Sequence, residues 1–333
     1  KDAGQTVQVT DLDKALNDLA PELGGKAISD LRRLSGGASQ ETWAFSLDTG
    51  RPLILRRKPP GTAGVTGTAT PLATEAALIR AAALQGAPVP EVLAICDPDS
   101  DVGEAYVMAA VEGETLGKRI ARDDNFAAIR PKLAFQCGEA LAKIHAIPLD
   151  DSLPPLNRSS ALDELEKYET VYRNLGARRP ILEAAFRYLK DRAPPLDRPV
   201  MLHGDFRNGN IMFQPETGLA AVLDWELVHI GDPAEDMGWV CTASWRFGGA
   251  KPVGGFGDYA DLLAGYEAAG GTPIPLERVL YWQMLGSLKW GVMCEGMYAS
   301  FANGTDPSVE RAMIGRRTSE CEIDLMALLE RAA

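Results

Sequence analysis

Residues 200–213 read VMLHGDFRNGNIMF, in which a polar loop separates two apolar runs. The apolar runs predict two short strands, and the loop between them concentrates polar groups where a buried strand would not carry them. Asp224 follows the stretch by eleven residues and lies at the end of a further apolar run at residues 219–223. We therefore expect Asp205, Asn210 and Asp224 to converge at one edge of a hairpin.

These three side chains fit the chemistry of phosphoryl transfer. That reaction needs a carboxylate that orients the attacking hydroxyl and accepts its proton, together with hard oxygen ligands that hold magnesium on the phosphates. Asp205 is the candidate base, and Asn210 and Asp224 are the candidate magnesium ligands. The alternative is that these residues only close turns and cap helices.

The order and spacing of the motifs resemble the aminoglycoside phosphotransferase and choline kinase-like proteins, which are relatives of the protein kinases. The resemblance rests on HGD-x4-N at residues 203–210, LDWE at 223–226 and GDP-x-x-D at 231–236. It implies an α+β, bilobal protein kinase-like fold, with a small antiparallel sheet and one helix in the N-lobe and a larger, mainly helical C-lobe. It also implies ATP and Mg2+ as cofactors. His203 would then support the loop, and Asp232 would cap a helix and buttress the loop.

The predicted secondary structure changes near residue 112, from short strands to helices. We therefore expect an N-terminal nucleotide-binding lobe with the hinge over residues 1–111, and a C-terminal helical lobe with the catalytic loop and acceptor site over residues 112–333. In the first lobe, strands are predicted at residues 28–34, 42–47, 52–57, 92–96 and 105–111, helices at 10–23 and 74–84, and a flexible loop at 59–71. In the second lobe, helices are predicted at residues 131–147, 161–175, 179–192, 257–269, 276–301 and 309–329.

The resemblance assigns nucleotide contacts to the N-lobe. Gly36, Gly37 and Ser39 lie between the first two strands, where small residues let backbone N–H groups approach phosphates. An ordinary hairpin turn is the alternative, and the absence of a following G-K-[ST] means that this is not a Walker A loop. Ala109 and Val111 are the expected backbone partners of adenine, although the same run also fits a core strand.

Alternation along the third predicted strand puts Ile54 and Arg56 on one face, as in the V-A-I-K element of protein kinases. Arg56 is therefore expected to hold the α- and β-phosphates, and Glu75 on the following helix is expected to pair with it. Protein kinases have lysine there, whereas arginine offers a planar fork that binds phosphate bidentately. Arg57 or Lys58 remains the alternative phosphate ligand.

The composition narrows the classes of partner. The formal net charge is -12, and a basic footprint for nucleic acid is not visible. The five cysteines never occur in C-x-x-C spacing, which disfavours a disulfide framework or a zinc knuckle and favours a reducing compartment. Neither a signal peptide nor an apolar run of membrane-spanning length is visible. We expect a cytoplasmic protein without nucleic-acid or membrane partners.

The acceptor is expected to be a hydroxyl of a small molecule held by the C-terminal helices. Short motifs at residues 56–61, 223–226 and 289–291 resemble the branch of the family that is fused to acyl-CoA dehydrogenases. That branch implies a hydroxyacyl-CoA as a further candidate acceptor, beside the aminoglycoside-like, choline-like and sugar acceptors that the family implies. The candidate lining residues, for which a place in the core is the alternative, are Trp245, Trp282, Lys289, Trp290, Glu295 and Tyr298.

A catalytically silent, nucleotide-binding pseudokinase with a regulatory role is the rival hypothesis. Arg56 in place of lysine favours it, whereas Asp205, Asn210 and Asp224 argue against it, because binding alone needs neither a base nor both metal ligands. A hydrolase is disfavoured because the chain has no G-x-S-x-G elbow. Three dispersed histidines also disfavour a zinc enzyme.

Overall fold

The computed structural model describes residues 2–36, 40–59 and 70–332, apart from the side chains of residues 2–10 and 35–36. The chain forms two compact units. The first unit comprises the described residues of Lys1–Glu112 with Asp150–Pro155 and Ala221–Val228, and the second comprises those of Gly113–Leu149, Leu156–Ala220 and His229–Ala333.

The first unit is built on a five-stranded antiparallel sheet. Its strands are β1 (Ile28–Gly36), β2 (Glu41–Leu47), β3 (Pro52–Arg57), β4 (Val92–Cys96) and β5 (Ala105–Ala109), and its helices are α1 (Asp2–Leu19) and α2 (Leu72–Leu84). The strand order is β1-β2-β3-β5-β4. Because side chains alternate along a strand, Trp43 and Phe45 of β2 share one face, and they belong to the same core as Leu12 and Leu16 of α1.

The predicted strands and helices of this unit are present, with shifted ends. The strand predicted to reach Val111 was wrong at its end, because β5 stops at Ala109. Ala109 pairs with Leu53, and the residue before Leu53 is Pro52, which opens β3 and has no N–H to extend the ladder. Residues 60–69 of the predicted loop lie outside the described residues.

The second unit is mainly helical. Its helices are α3 (Gly117–Arg122), α4 (Arg130–His145), α5 (Ala161–Asn174), α6 (Pro180–Asp191), α7 (Ala234–Cys241), α8 (Tyr259–Ala268), α9 (Leu276–Ala302), α10 (Val309–Gly315) and α11 (Thr318–Ala332). Short strands complete the chain: β6 (Val200–Leu202), β7 (Ile211–Gln214), β8 (Gly218–Val222) and β9 (His229–Gly231). β6 pairs with β9, and β7 pairs with β8. The α+β organisation expected from the sequence is confirmed.

The long helix α9 organises the second unit, since α5, α6, α7, α10 and α11 all pack against it. α7 lies especially close to α9 at Gly238, where a Cβ atom would stand 2.5 Å from the main chain and Cβ of Trp282. Only glycine permits that approach. The contact fixes α7, which carries the residues that hold the loop after β6.

One helix predicted over residues 309–329 is instead two helices, α10 and α11. Gly315 ends α10 against α9, where an added Cβ would lie 2.6 Å from the Cβ of Tyr298. The Thr318 hydroxyl then donates to the Gly315 carbonyl at 3.1 Å and begins α11. Apolar periodicity continues across the break, and therefore the sequence pattern did not reveal it.

Candidate active site

Asp205 lies in the loop between β6 and β7, and its carboxylate is held at both oxygens. Trp239 Nε1 donates to Oδ1 at 2.6 Å, and Arg207 Nε donates to the same oxygen at 2.9 Å. Asn210 Nδ2 donates to Oδ2 at 2.6 Å. Three donors from two segments therefore orient this carboxylate.

Asp236, in α7, holds the backbone of the same loop. Its carboxylate accepts hydrogen bonds from the His203 N–H at 2.8 Å and the Gly204 N–H at 2.9 Å. Gly204 has a φ of +80°, which favours glycine. His145 Nε2 lies 3.2 Å from Asp236 Oδ2. Burial acts to raise the pKa of Asp236, but the hydrogen bond from His145, the charges of His145 and His203 and the loop N–H outweigh it and lower the pKa.

The two residues predicted to support the loop have different partners. His203 is fully buried, and its Nδ1 accepts from the Asp205 N–H at 3.2 Å. Asp232 accepts from the Ala234 N–H at 3.0 Å, at the start of α7, and pairs with Arg278 at 2.7 Å. The N–H groups of His203 and Gly204 donate to Asp236 rather than to Asp232, because Asp236 is the third residue of α7 and its side chain is directed back towards the helix start.

Asn210 is buried and joined to Asp205 at two points. Besides the carboxylate, its Nδ2 contacts the Asp205 carbonyl at 3.0 Å. These bonds commit the amide nitrogen and leave Oδ1 as the atom with which Asn210 would bind a cation. An amide oxygen is a ligand that suits magnesium.

In the first unit, the structure brings Arg56, Glu75 and Asp224 together. Arg56 Nη2 lies 3.0 Å from Asp224 Oδ1 and 3.7 Å from Glu75 Oε2, and it also donates to Gln40. Gln40 Nε2 donates to Glu75 Oε1 at 2.9 Å, and the Tyr106 hydroxyl donates to Glu75 Oε2 at 3.2 Å. The guanidinium is therefore held between two carboxylates.

Burial dominates the electrostatics of this cluster. It raises the pKa of Glu75 to about 7, although the charge of Arg56 and the hydrogen bonds from Gln40 and Tyr106 act in the opposite direction. Burial also acts to lower the pKa of Arg56, but Tyr106, Glu75 and Asp224 outweigh it and raise that pKa. Arg56 is therefore a permanent cation, whereas Glu75 titrates near neutral pH.

Asp224 has a φ of 65°, in the left-handed region that non-glycine residues rarely occupy. Such backbone strain is concentrated at functional sites. The side chain is 31% exposed, so that a carboxylate oxygen is accessible to a ligand. A hard carboxylate oxygen fits magnesium, as the amide oxygen of Asn210 does.

The other two basic residues at the end of β3 have separate partners. Arg57 is buried and pairs with Glu41 at 2.8 Å, with its guanidinium over the Trp43 ring. Lys58 pairs with Glu104 at 2.7 Å on the surface. These contacts favour Arg56 over its neighbours as the phosphate ligand.

The remaining candidate nucleotide contacts are only partly described. Gly36 ends β1, whereas Gly37 and Ser39 lie outside the described residues. The Ala109 N–H donates to the Glu91 carbonyl at 2.8 Å, so an adenine contact at Ala109 would use its carbonyl. Val111 follows β5.

Most of the aromatic residues that were candidates for lining the acceptor site belong to the core. Trp245, Trp282 and Trp290 are all buried. Lys289 is linked to Asp205 through one residue. Its Nζ lies 4.7 Å from the centre of the ring of Trp239, which donates a hydrogen bond to the Asp205 carboxylate. Glu295 pairs with Arg179, and Tyr298 is exposed.

Comparison with known structures confirms the protein kinase-like fold, which this chain shares with solved small-molecule phosphotransferases. A protein from Ralstonia eutropha described as an aminoglycoside phosphotransferase has a TM-score of 0.71 at 22% identity, over 96% of this chain and 98% of its own. Spectinomycin phosphotransferase in complex with ADP and spectinomycin has a TM-score of 0.61 at 13% identity, over 95% of this chain and 98% of its own.

A sequence profile of the phosphotransferase enzyme family, APH, matches residues 30–274, and the chain belongs to this family. Mouse acyl-CoA dehydrogenase family member 10 is 26% identical over 308 residues, which are 87% of this chain and 28% of that protein. The chain thus spans less than half the length of the curated relatives it matches. Within the described residues, no helix has both the length and the hydrophobicity needed to cross a bilayer.

Sequence reasoning missed Asp236, Trp239 and Gln40 as parts of these clusters. Asp236 closes the GDP-x-x-D motif, and Trp239 follows it by three residues, on the same face of α7. That spacing was the available signal. Gln40 carried no comparable signal, because its role depends on the pairing of β2 with β3.

Proposed function

We propose that this chain is an ATP- and magnesium-dependent kinase that transfers the γ-phosphate of ATP to a hydroxyl of a small molecule. The observation that carries the proposal is the Asp205 carboxylate, which Asn210, Arg207 and Trp239 orient within a loop anchored by Asp236. A general base that is held in this way accepts the proton of a hydroxyl in one orientation only.

In this proposal, Asp205 accepts a hydrogen bond from the hydroxyl of the acceptor and directs its oxygen towards the γ-phosphorus. The O–P bond to the acceptor forms while the bond from phosphorus to the β–γ bridging oxygen breaks. The proton of the hydroxyl passes to Asp205, and ADP leaves. Because the protein makes no covalent bond in such a transfer, positioning and charge supply most of the acceleration.

The nucleotide is assigned to the other cluster. Arg56 binds the α- and β-phosphates, and Glu75 keeps its guanidinium in place. Asn210 Oδ1 and the Asp224 carboxylate hold magnesium, which when bound offsets the negative charge of the phosphates. The ADP bound to spectinomycin phosphotransferase supports nucleotide use by this fold.

Backbone groups complete the proposed nucleotide site. Gly36, Gly37 and Ser39 would cover the phosphates with their N–H groups. Ala109 and Val111 would bind the adenine edge. Their side chains are small or apolar, which suits recognition through the main chain.

The acceptor is proposed to be an aminoglycoside-like, choline-like, sugar or hydroxyacyl-CoA hydroxyl. The relatives that carry the name acyl-CoA dehydrogenase make hydroxyacyl-CoAs the first compounds to test. A kinase segment joined in one chain to an enzyme for acyl thioesters would draw on the same substrates. We also propose a cytoplasmic location, which the free thiols of all five cysteines support.

The experiment is a measurement of ADP formation from ATP, with and without magnesium, across these four classes of acceptor. The native chain should phosphorylate a member of one class only when magnesium is present, and Asp205→Ala should abolish that activity. Asp101→Ala, which removes an exposed carboxylate, is the matched control and should remain active. If neither ATP nor GTP binds, the proposal fails.

A nucleotide-binding pseudokinase is the second candidate. The observation that favours it is Arg56, which stands where protein kinases have lysine and is already engaged by Asp224 and Gln40. This candidate prevails if the native chain binds ATP but phosphorylates nothing in the panel.

A further inference from the structure

The two oxygens of Asp205 are used unequally. Oδ1 accepts hydrogen bonds from Trp239 and Arg207, and two donors fill the two lone pairs of one carboxylate oxygen. Among the described residues, Oδ2 accepts from the Asn210 side chain and no other side chain. One lone pair therefore remains on Oδ2 for a further donor.

Of the two donors to Oδ1, Trp239 is the more rigidly placed. Trp239 is 6% exposed as a whole residue, whereas the side chain of Arg207 is 24% exposed. The hydrogen bond from Trp239 is also the shorter one, at 2.6 Å. Trp239 is in α7 together with Asp236, so one helix holds both the loop backbone and the carboxylate.

The surroundings of Trp239 strengthen its N–H as a donor. The Lys289 ammonium lies 4.7 Å from the centre of the indole ring, and a cation over the ring face draws electron density away from the N–H. Burial acts to lower the pKa of Lys289, but Tyr168, Glu235, Glu164 and Asp205 outweigh it and raise the pKa, so the cation persists.

A second indole also packs against the Trp239 ring. The centre of the Trp245 ring lies 5.1 Å from that of Trp239, at an interplanar angle of 65°. Such an edge-to-face arrangement is favourable beyond the area it buries. Trp239 therefore cannot swing away from Asp205 without breaking this packing.

We propose that Trp239 is a positioning residue for the transfer, and that its indole N–H holds Oδ1 so that Oδ2 is the atom that takes the proton of the acceptor. The inference rests on the proposed function, in which Asp205 is the base. The O–H bond of the acceptor breaks as its O–P bond forms, and the proton is left on Oδ2.

Trp239→Phe tests the inference, because it removes the N–H and keeps an aromatic ring. kcat should fall roughly ten- to hundredfold, the loss expected for one hydrogen bond to a charged group. KM for ATP and for the acceptor should stay unchanged. kcat is measured for transfer to the best acceptor of the panel above. The basal hydrolysis of ATP, in which water takes the place of the acceptor, is measured as well.

Trp43→Phe is the matched control. Trp43 is 6% exposed, as Trp239 is, and its Nε1 also donates to a carboxylate, that of Glu41, at 3.1 Å. This change removes the same ring volume and the same kind of hydrogen bond in the first unit, so stability should fall as in Trp239→Phe while kcat stays near that of the native chain. If the native chain is active and the two variants have equal kcat, the inference about Trp239 is wrong while the proposed function stands.

An NMR measurement without substrate separates the contact from the chemistry. The indole N–H signal of Trp239, identified by its loss in Trp239→Phe, should lie downfield and should move upfield in Asp205→Ala. A signal that ignores Asp205→Ala shows that the hydrogen bond is absent and overturns the inference. A native chain that phosphorylates nothing overturns the proposed function, and the role of Trp239 in transfer falls with it even if the signal moves.

Discussion

At the residue scale, Arg56 and Arg57 are neighbours in sequence with different partners, because alternation along β3 directs them to opposite faces of the sheet. Arg56 contacts Glu75 and Asp224, whereas Arg57 pairs with Glu41. The first arrangement suits a phosphate ligand, and the second stabilises the sheet.

Alanine variants of the two arginines should therefore differ. Arg56→Ala should weaken ATP binding by roughly tenfold or more, because it deletes charge-assisted hydrogen bonds to the phosphates. Arg57→Ala should leave the affinity for ATP unchanged and lower the free energy of unfolding by up to about 3 kcal/mol, because Glu41 loses its closer partner. Calorimetric titration with Mg-ATP and urea denaturation measure the two quantities. Equal loss of affinity in both variants would contradict the assignment of Arg56.

Glu75 should make stability depend on pH. Burial raises its pKa from the ordinary value of 4.5 to about 7, so the folded chain binds this proton more tightly than the unfolded chain does. The stabilisation is complete below the ordinary pKa and is lost as the pH rises through about 7, which lowers the free energy of unfolding by about 3 kcal/mol.

Urea denaturation between about pH 5 and about pH 8 measures this effect. The native chain should lose more stability over that range than Glu75→Gln, which cannot titrate at residue 75. The contribution of all other groups cancels in the comparison. Parallel curves for the two chains would show that the Glu75 carboxyl titrates normally in the folded state.

At the element scale, α7 links the core of the second unit to the loop at residues 203–210. All eight of its residues are buried. Gly238 faces α9, while Asp236 and Trp239 face the loop. A short helix with no exposed face transmits any change in its packing to Asp205.

Asp236→Asn should impair both stability and turnover. The variant removes the charge that accepts from two loop N–H groups and faces His145, which should lower the free energy of unfolding by about 3 kcal/mol. kcat should fall as well, since the loop that carries Asp205 loses its anchor. Urea denaturation and steady-state kinetics measure these effects, with the exposed Asp101→Asn as the control. Full activity in Asp236→Asn would show that the loop holds its shape without the anchor.

Two glycine substitutions test the packing of α7 against α9. Gly238→Ala should destabilise the chain by about 1 to 3 kcal/mol, because its new methyl group would overlap the main chain of Trp282. Gly296→Ala, in α9 itself, meets no atom closer than 4.0 Å and should stabilise by about 0.5 to 1 kcal/mol through helix propensity. Thermal denaturation of the two variants measures whether each change stabilises or destabilises the chain. A stabilised Gly238→Ala would contradict the close approach.

At the scale of the whole molecule, the proposed machinery is divided between the two units. Arg56, Glu75 and Asp224 belong to the first, and Asp205 and Asn210 belong to the second. The segment Ala221–Val228 joins the first unit although the chain around it belongs to the second.

Mg-ATP should stabilise the chain more than ATP alone. A ligand that binds only the folded state adds about 2.7 kcal/mol at a hundred times its dissociation constant, so the melting temperature should rise with the concentration of Mg-ATP. Removal of magnesium with EDTA should reduce the shift. Asn210→Ala combined with Asp224→Ala should remove the difference between the two conditions. An equal shift with and without magnesium would exclude the metal from the nucleotide site.

Much of the fold and of the candidate site could be predicted from local patterns. The strands around residues 42–57 follow from alternation, and the loop at residues 203–210 follows from a polar break between apolar runs. The partners of that loop could not be predicted in the same way. Trp239 meets Asp205 across 34 residues, and such contacts depend on how helices pack rather than on spacing.

The sequence alone determined the family and indicated the chemistry that we propose, because the residues that carry them occur in short motifs whose order is visible without coordinates. Only the tertiary structure decided which basic residue joins Glu75 and Asp224, which tryptophans are core, and which donors hold the carboxylate of Asp205. The physical reason is that each of these depends on contacts between distant segments. The loop at residues 203–210 carries the residues of the proposed reaction, and α7, which packs on α9, sets the geometry of that loop.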